Sequence, residues 1–144
     1  KICRSPVTSM VEIEKAYLRV WIDRSIKLMY SEWQRSVCSE EYREGNQLLL
    51  DLVNEYNVVN WIADSVHLGD ISAEDEQWTL KYLVPALSQS SLVKLARVSG
   101  GDKASYSKFE NFARRAEESY IGHILVRQFE TYKEAADWMG NIPA

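Results

Sequence analysis

Residues 17–23 alternate strictly, with Leu18, Val20 and Ile22 on one face and Tyr17, Arg19 and Trp21 on the other. A period of two marks a strand. A second strand is predicted over 26–33, and the short polar link Asp23-Arg24-Ser25 favours an antiparallel hairpin over a crossover. The preceding segment, 7–14, reads either as an extension of that hairpin or as an arm. From Ser39 the period changes, because Tyr42, Leu49, Leu52, Val53 and Tyr56 recur near 3.6 while Glu40 and Glu41 suit the positive end of a helix. Gly45 falls inside that helix, where glycine costs about 1 kcal/mol against alanine; close packing on the sheet is the expected compensation. The almost continuously apolar run 58–63 predicts a strand buried on both faces and placed centrally.

Ser72-Ala73-Glu74-Asp75 reads as a capping box ahead of a helix that carries Trp78, Tyr82 and Leu83. Pro85 predicts a kink or break near 82–84, followed by a short segment to residue 88. Then come a strand over 92–98, the loop Ser99-Gly100-Gly101-Asp102, and a helix with Tyr106, Phe109, Phe112, Ala113 and Ala116 as its inner stripe. A last strand is predicted over 123–129. Thr131 and Glu134 form a second capping box for a final helix whose Ala135, Trp138 and Met139 face inward. The fold class that follows is α/β: a mixed open sheet with an N-terminal antiparallel hairpin followed by βαβαβα. Its strands at Val58, Leu92 and His123 are parallel through right-handed crossovers. Residues 1–16 are assigned as an N-terminal arm or extra strand and 17–144 as a single domain.

Composition narrows the partners. A chain of 144 residues with 46% apolar and 26% charged positions suits one folded domain and argues against disorder. The net charge of -4 offers no general attraction to phosphate backbones or anionic lipid, so neither nucleic acid nor a membrane is expected as a partner. Cys3 and Cys38 have neither metal-ligand spacing nor the density of a disulfide scaffold, which predicts a reducing, cytoplasmic setting. Residues 1–10 lack the apolar run of a signal peptide, and nowhere do ~18 apolar residues follow one another. The first residue is Lys1 and not Met, which leaves open a segment upstream.

In an open α/β sheet, ligands gather beyond the carboxyl ends of the parallel strands. That edge would collect Asp64, Ser65, His67, Asp70 and Ser72, then Ser99, Gly100, Gly101 and Asp102, then Glu130 and Thr131. Asp64 and Asp70 flanking His67 resemble an acid–base set, but loop aspartates ordinarily make turns and caps. Gly100-Gly101 before a helix could offer amides to an anion, although neither a P-loop nor a dinucleotide fingerprint is present and Asp102 would compete for the same donors. His123 stands at the opposite edge from His67, so the two cannot share a metal, and no nucleophile elbow occurs. We therefore assign no catalytic residue, no metal and no cofactor. Arg114-Arg115 is a small basic pair on a helix, of the kind that is ordinarily solvated. The hairpin, rich in Trp21, Tyr30 and Trp33, is the expected surface for a homodimer.

The order of elements resembles a STAS or SpoIIAA-like domain, the fold of anti-sigma-factor antagonists, over residues 17–138. At residue level the chain is closest to uncharacterised bacterial members, through Leu28-Met29-Tyr30-Ser31-Glu32-Trp33, Ser39-Glu40-Glu41-Tyr42-Arg43-Glu44-Gly45, Trp61-Ile62-Ala63-Asp64 and Ile71-Ser72-Ala73-Glu74-Asp75 with Trp78. The antagonists carry a phosphorylatable serine at the start of the helix after the central strand, within an Asp-Ser-Ser-Gly-like segment. Ser72 is the one position that matches, with Ile71 and Ala73 departing from the pattern. The resemblance implies a non-enzymatic regulatory or protein-interaction domain. The alternative is a small-ligand-binding protein or enzyme in which Asp64, His67 and Asp102 converge on a pocket at the carboxyl edge. A pocket of ~300 Å³ or more would favour the ligand, and a flat edge a protein partner.

Overall fold

Six strands form one mixed sheet whose spatial order is the order of the chain. The computed structural model describes residues 9–119 and 123–140, so Cys3 and the start of the 7–14 segment lie outside the described residues. β1 (Met10–Lys15), β2 (Leu18–Asp23) and β3 (Leu28–Trp33) pair antiparallel, while β4 (Asn60–Asp64), β5 (Lys94–Val98) and β6 (Leu125–Phe129) continue from β3 in parallel. The mixed α/β sheet, the antiparallel hairpin and the parallel strands are therefore as the patterning predicts. β1 adds a strand to the hairpin, so the free edge belongs to β1 and not to β2.

α1 (Ser39–Tyr56), the helical segment after β4 and α4 (Lys103–Ser119) each make one crossover, and α5 (Tyr132–Met139) ends the described chain. The strand order advances one place at each crossover, so crossovers of one hand stack the first three helices on one face. There Leu18, Val20, Ile22, Met29 and Trp33 of the sheet meet Leu49, Leu52 and Val53 of α1 and Leu83 and Leu87 of the next segment. α5 covers the other face with Ala135 and Met139 against Leu28, Ile62, Ala96 and Val98.

Gly45 lies over this core, and a Cβ there would come within 2.6 Å of Trp33 Cη2. Trp33 is thus core, only 4% exposed, and not part of an exposed aromatic surface for a homodimer. Trp21 lies on the face opposite Leu18, Val20 and Ile22 and packs on Tyr30 with ring centres 5.4 Å apart.

The segment after β4 is helical from Ala73 to Ser88, so the break near Pro85 is not found and a π turn stands just before it. It runs as α2 (Ala73–Trp78), a π-helical turn (Thr79–Leu83) and α3 (Val84–Ser88). A proline ring ordinarily strikes the carbonyl one turn back, and the wider π turn shifts that carbonyl away. α4 is less firmly packed than its pattern predicts. Tyr106 is 40% exposed, and Phe109, Phe112, Ala113 and Ala116 are only partly covered.

Beneath α4 the sheet is polar. Arg97 bonds Gln128 Oε1 at 2.6 Å and Ser105 Oγ at 2.9 Å, while Gln128 donates to the Tyr106 carbonyl and to Glu110. These directional bonds hold α4 where apolar burial is thin. No helix among the described residues is long and apolar enough to cross a membrane.

Candidate functional site

The carboxyl edge of the parallel strands is a continuous surface of three loops. Ser65 N–H donates to the Val98 carbonyl at 2.9 Å, and the Gly100 N–H donates to the Glu130 carbonyl at 3.2 Å. Val66 lies over Gly100, where an added Cβ would meet its methyl groups at 3.5 Å. Gly69 sits at φ +79°, a left-handed conformation, and its α-carbon faces Ser36, whose Oγ would be 2.6 Å from a Cβ there. The expected edge residues therefore share one edge, with His67, Asp70, Ser72, Gly101 and Asp102 exposed on it.

They do not form an acid–base set. Asp64 follows Ile62 on the face of α5; its Oδ2 accepts from the Tyr30 hydroxyl at 3.1 Å and its Oδ1 from the Val66 N–H at 3.0 Å. Burial, then the Asp64 and Glu32 charges, push the Tyr30 phenol above its ordinary value, which keeps it a donor. Asp102 belongs to the opposite face, where its Oδ1 accepts from the Ala104 and Ser105 N–H groups at 3.0 and 3.1 Å and caps α4. The Gly100-Gly101 pair thus makes a turn, with the Gly100 amide and the first α4 amides already engaged. No three of the described His, Cys, Asp and Glu residues lie close enough to hold a metal ion.

Ser72 caps α2, accepting from the Asp75 N–H at 3.1 Å. The reciprocal half of the expected capping box is absent, because the Asp75 carboxylate turns away to α1. Its Oδ1 accepts from Ser39 Oγ at 2.6 Å and from Arg43 Nε at 2.9 Å. Asp75 is only 4% exposed. Burial works to raise its pKa, but the bonds from Ser39, Arg43 and Ser72 and the Arg43 charge outweigh it and hold the carboxyl below the ordinary aspartate value. Ser39 opens α1, so Asp75 also meets the positive end of that helix.

The clasp continues inward. Thr79 Oγ1 bonds both the Asp75 carbonyl and the Tyr42 hydroxyl at 2.8 Å, and the guanidinium of Arg43 lies 5.5 Å from the Trp78 ring centre. The sequence named Ser39 only as the start of a helix and Asp75 only as part of a capping box, and it gave Arg43 and Thr79 no role at this site. The one available signal was Asp75 three residues after Ser72, and that spacing says nothing about a contact 36 positions away. Lys108 of α4 was missed as well; its Nζ donates to the Ile71 carbonyl at 3.2 Å.

The concavity at this edge holds about 200 Å³ between Val37, Tyr42, Leu68, Ser72 and Asp75. That is smaller than a typical small-molecule site. Comparison with known proteins finds no match for this chain among family models, curated proteins or solved structures.

Proposed function

We propose that the chain is a non-enzymatic regulatory or protein-interaction domain of the STAS or SpoIIAA-like kind, which docks a protein partner on the loops at its carboxyl edge. The observation that carries this reading is the state of the edge itself. Asp64, Ser72 and Asp102 are spent on caps and turns, and the concavity beside them is about 200 Å³. Asp64 and Asp102 are held on opposite faces of the sheet by their own backbone and side-chain bonds, so the two do not converge on one centre. What the edge offers instead is a joined loop surface on which Val66 is 44% exposed beside His67, Asp70 and Ser72. An exposed apolar side chain on a loop surface with exposed polar groups is consistent with the apolar centre and polar rim of a protein contact.

Ser72 has two roles to reconcile in this reading. As an N-cap it is already useful, and a phosphate there would face Asp70, Glu74, Asp75 and Glu76. Of these charges, Asp75 is paired with Arg43 and Glu76 with Arg115, and Lys108 donates to the Ile71 carbonyl next to Ser72. We assign Ser72 first to the cap. Affinity capture with the wild-type chain, repeated with Val66→Glu and with Arg127→Gln on the far face, tests the docking surface. A partner retained by wild type and Arg127→Gln but lost by Val66→Glu supports the reading; a partner retained equally by all three contradicts it.

A further inference from the structure

We propose that the depression between α2 and α4 is a binding site for a dianionic phosphate group. It is an open-sided concavity of about 390 Å³, lined by Glu76 of α2 and by Lys108, Asn111, Arg114 and Arg115 of α4. Lys108, Asn111 and Arg115 fall at i, i+3 and i+7 of one helix and so share a face. Three cations thus meet one carboxylate in a chain whose net charge is -4.

Their partners are what favour an anionic ligand. Arg115 is ion-paired with Glu76. Lys108 instead donates to the Ile71 carbonyl, and Arg114 donates to the Asn111 side-chain oxygen. Glu110, Glu117 and Glu118 share the helix, yet among the described residues neither Lys108 nor Arg114 has a carboxylate within ion-pair distance. Two positive charges therefore rest on neutral oxygens, with no opposite charge to balance them within ion-pair distance among the described residues. A phosphate dianion balances both charges. Its oxygens also accept from the Lys108 ammonium, the planar Arg114 fork and the Asn111 amide. A single carboxylate would balance one charge only. Lys108 reaches the Ile71 carbonyl beside the edge loops, but the depression is lined from α2 and α4 and binding of inorganic phosphate is read without any protein partner, so failure of this proposal and failure of the proposed function are distinguishable.

The test is titration of the full chain with inorganic phosphate by calorimetry at low ionic strength, with circular dichroism to check that each variant is folded. Saturable one-to-one binding is expected, weakened about tenfold or more in Lys108→Gln/Arg114→Gln, as for loss of charge-assisted hydrogen bonds. Glu76→Gln is expected to tighten binding, because it removes the one competing carboxylate and frees Arg115. Arg127→Gln removes one positive charge on the opposite face, as Arg114→Gln does at the site, and is expected to leave binding unchanged. If the double variant does not fold, Arg114→Gln and Glu76→Gln carry the same opposed expectations.

A phosphoserine peptide in a parallel titration distinguishes the source of the group. Binding no tighter than inorganic phosphate points to a free phosphate ester, and tighter binding to a phosphorylated side chain. The proposal is overturned if no saturable binding occurs, if Glu76→Gln weakens it, or if Arg127→Gln weakens it as much as Lys108→Gln/Arg114→Gln.

Discussion

Ser39, the first residue of α1, donates a 2.6 Å hydrogen bond to the carboxylate of Asp75 in the first turn of α2. With Arg43 it makes a buried charge the link between two helices. Because Asp75 titrates below the ordinary aspartate value of 3.8, its bonds stabilise the fold fully above that value and are lost as the pH falls through the folded pKa. Asp75→Asn is expected to cost about 2 kcal/mol near neutral pH. The gap from wild type should shrink below pH 3.8. Urea denaturation of both proteins across that range checks it; a gap independent of pH would remove the clasp.

Gly45→Ala should destabilise the protein although alanine is the better helix former. The added Cβ gains about 1 kcal/mol in propensity, but it enters the space of Trp33 Cη2 at 2.6 Å. Overpacking of this kind costs about 1–3 kcal/mol. Combining it with Trp33→Leu should make the two changes less than additive in thermal unfolding, since the shorter side chain vacates the contact.

Thr79→Val keeps the shape of the π turn and removes the partner of the buried Tyr42 hydroxyl. A loss of about 1–3 kcal/mol is expected from that unsatisfied group. Tyr42→Phe in the same background should recover part of it, which a double-mutant cycle in denaturant measures directly.

The alternation of Leu18, Val20 and Ile22 and the 3.6 period of Leu49, Leu52 and Val53 made the sheet and its first helix legible, because each element follows from one local period. The short link at Asp23-Arg24-Ser25 likewise dictated antiparallel pairing. Pro85 located the irregularity near 82–84 and the short segment to residue 88, but not its form, since a π turn over Thr79–Leu83 takes the place of a break. Tyr106 misled: its position repeats with Phe109 and Ala113, but the surface below is Arg97 and Gln128, which no reading of α4 alone could reveal. The edge residues were found as a group because strand ends are countable. Their separation onto two faces, and the replacement of Asp64 and His67 by Ser39, Arg43 and Asp75 as the connected cluster, depend on contacts distant in sequence.

Ser72→Ala should lose about 1 kcal/mol of stability by removing the α2 cap. Ser72→Asp should stay within a few tenths of wild type, since aspartate caps comparably. Thermal melts decide the stability part. If Ser72→Asp also leaves partner affinity unchanged, the hydroxyl acts as a cap alone, and a sharp change in affinity with intact stability would make it a switch.

The most direct test of the docking edge is calorimetric titration of a captured protein partner into wild type and Val66→Glu. Val66 is 44% exposed among the edge loops, so the charge is expected to be tolerated by the fold and to meet a partner docked on those loops. Loss of an apolar anchor predicts affinity weaker by about tenfold or more, with melting unchanged and Arg127→Gln binding as wild type. Equal affinity for wild type and Val66→Glu would contradict docking at the carboxyl edge.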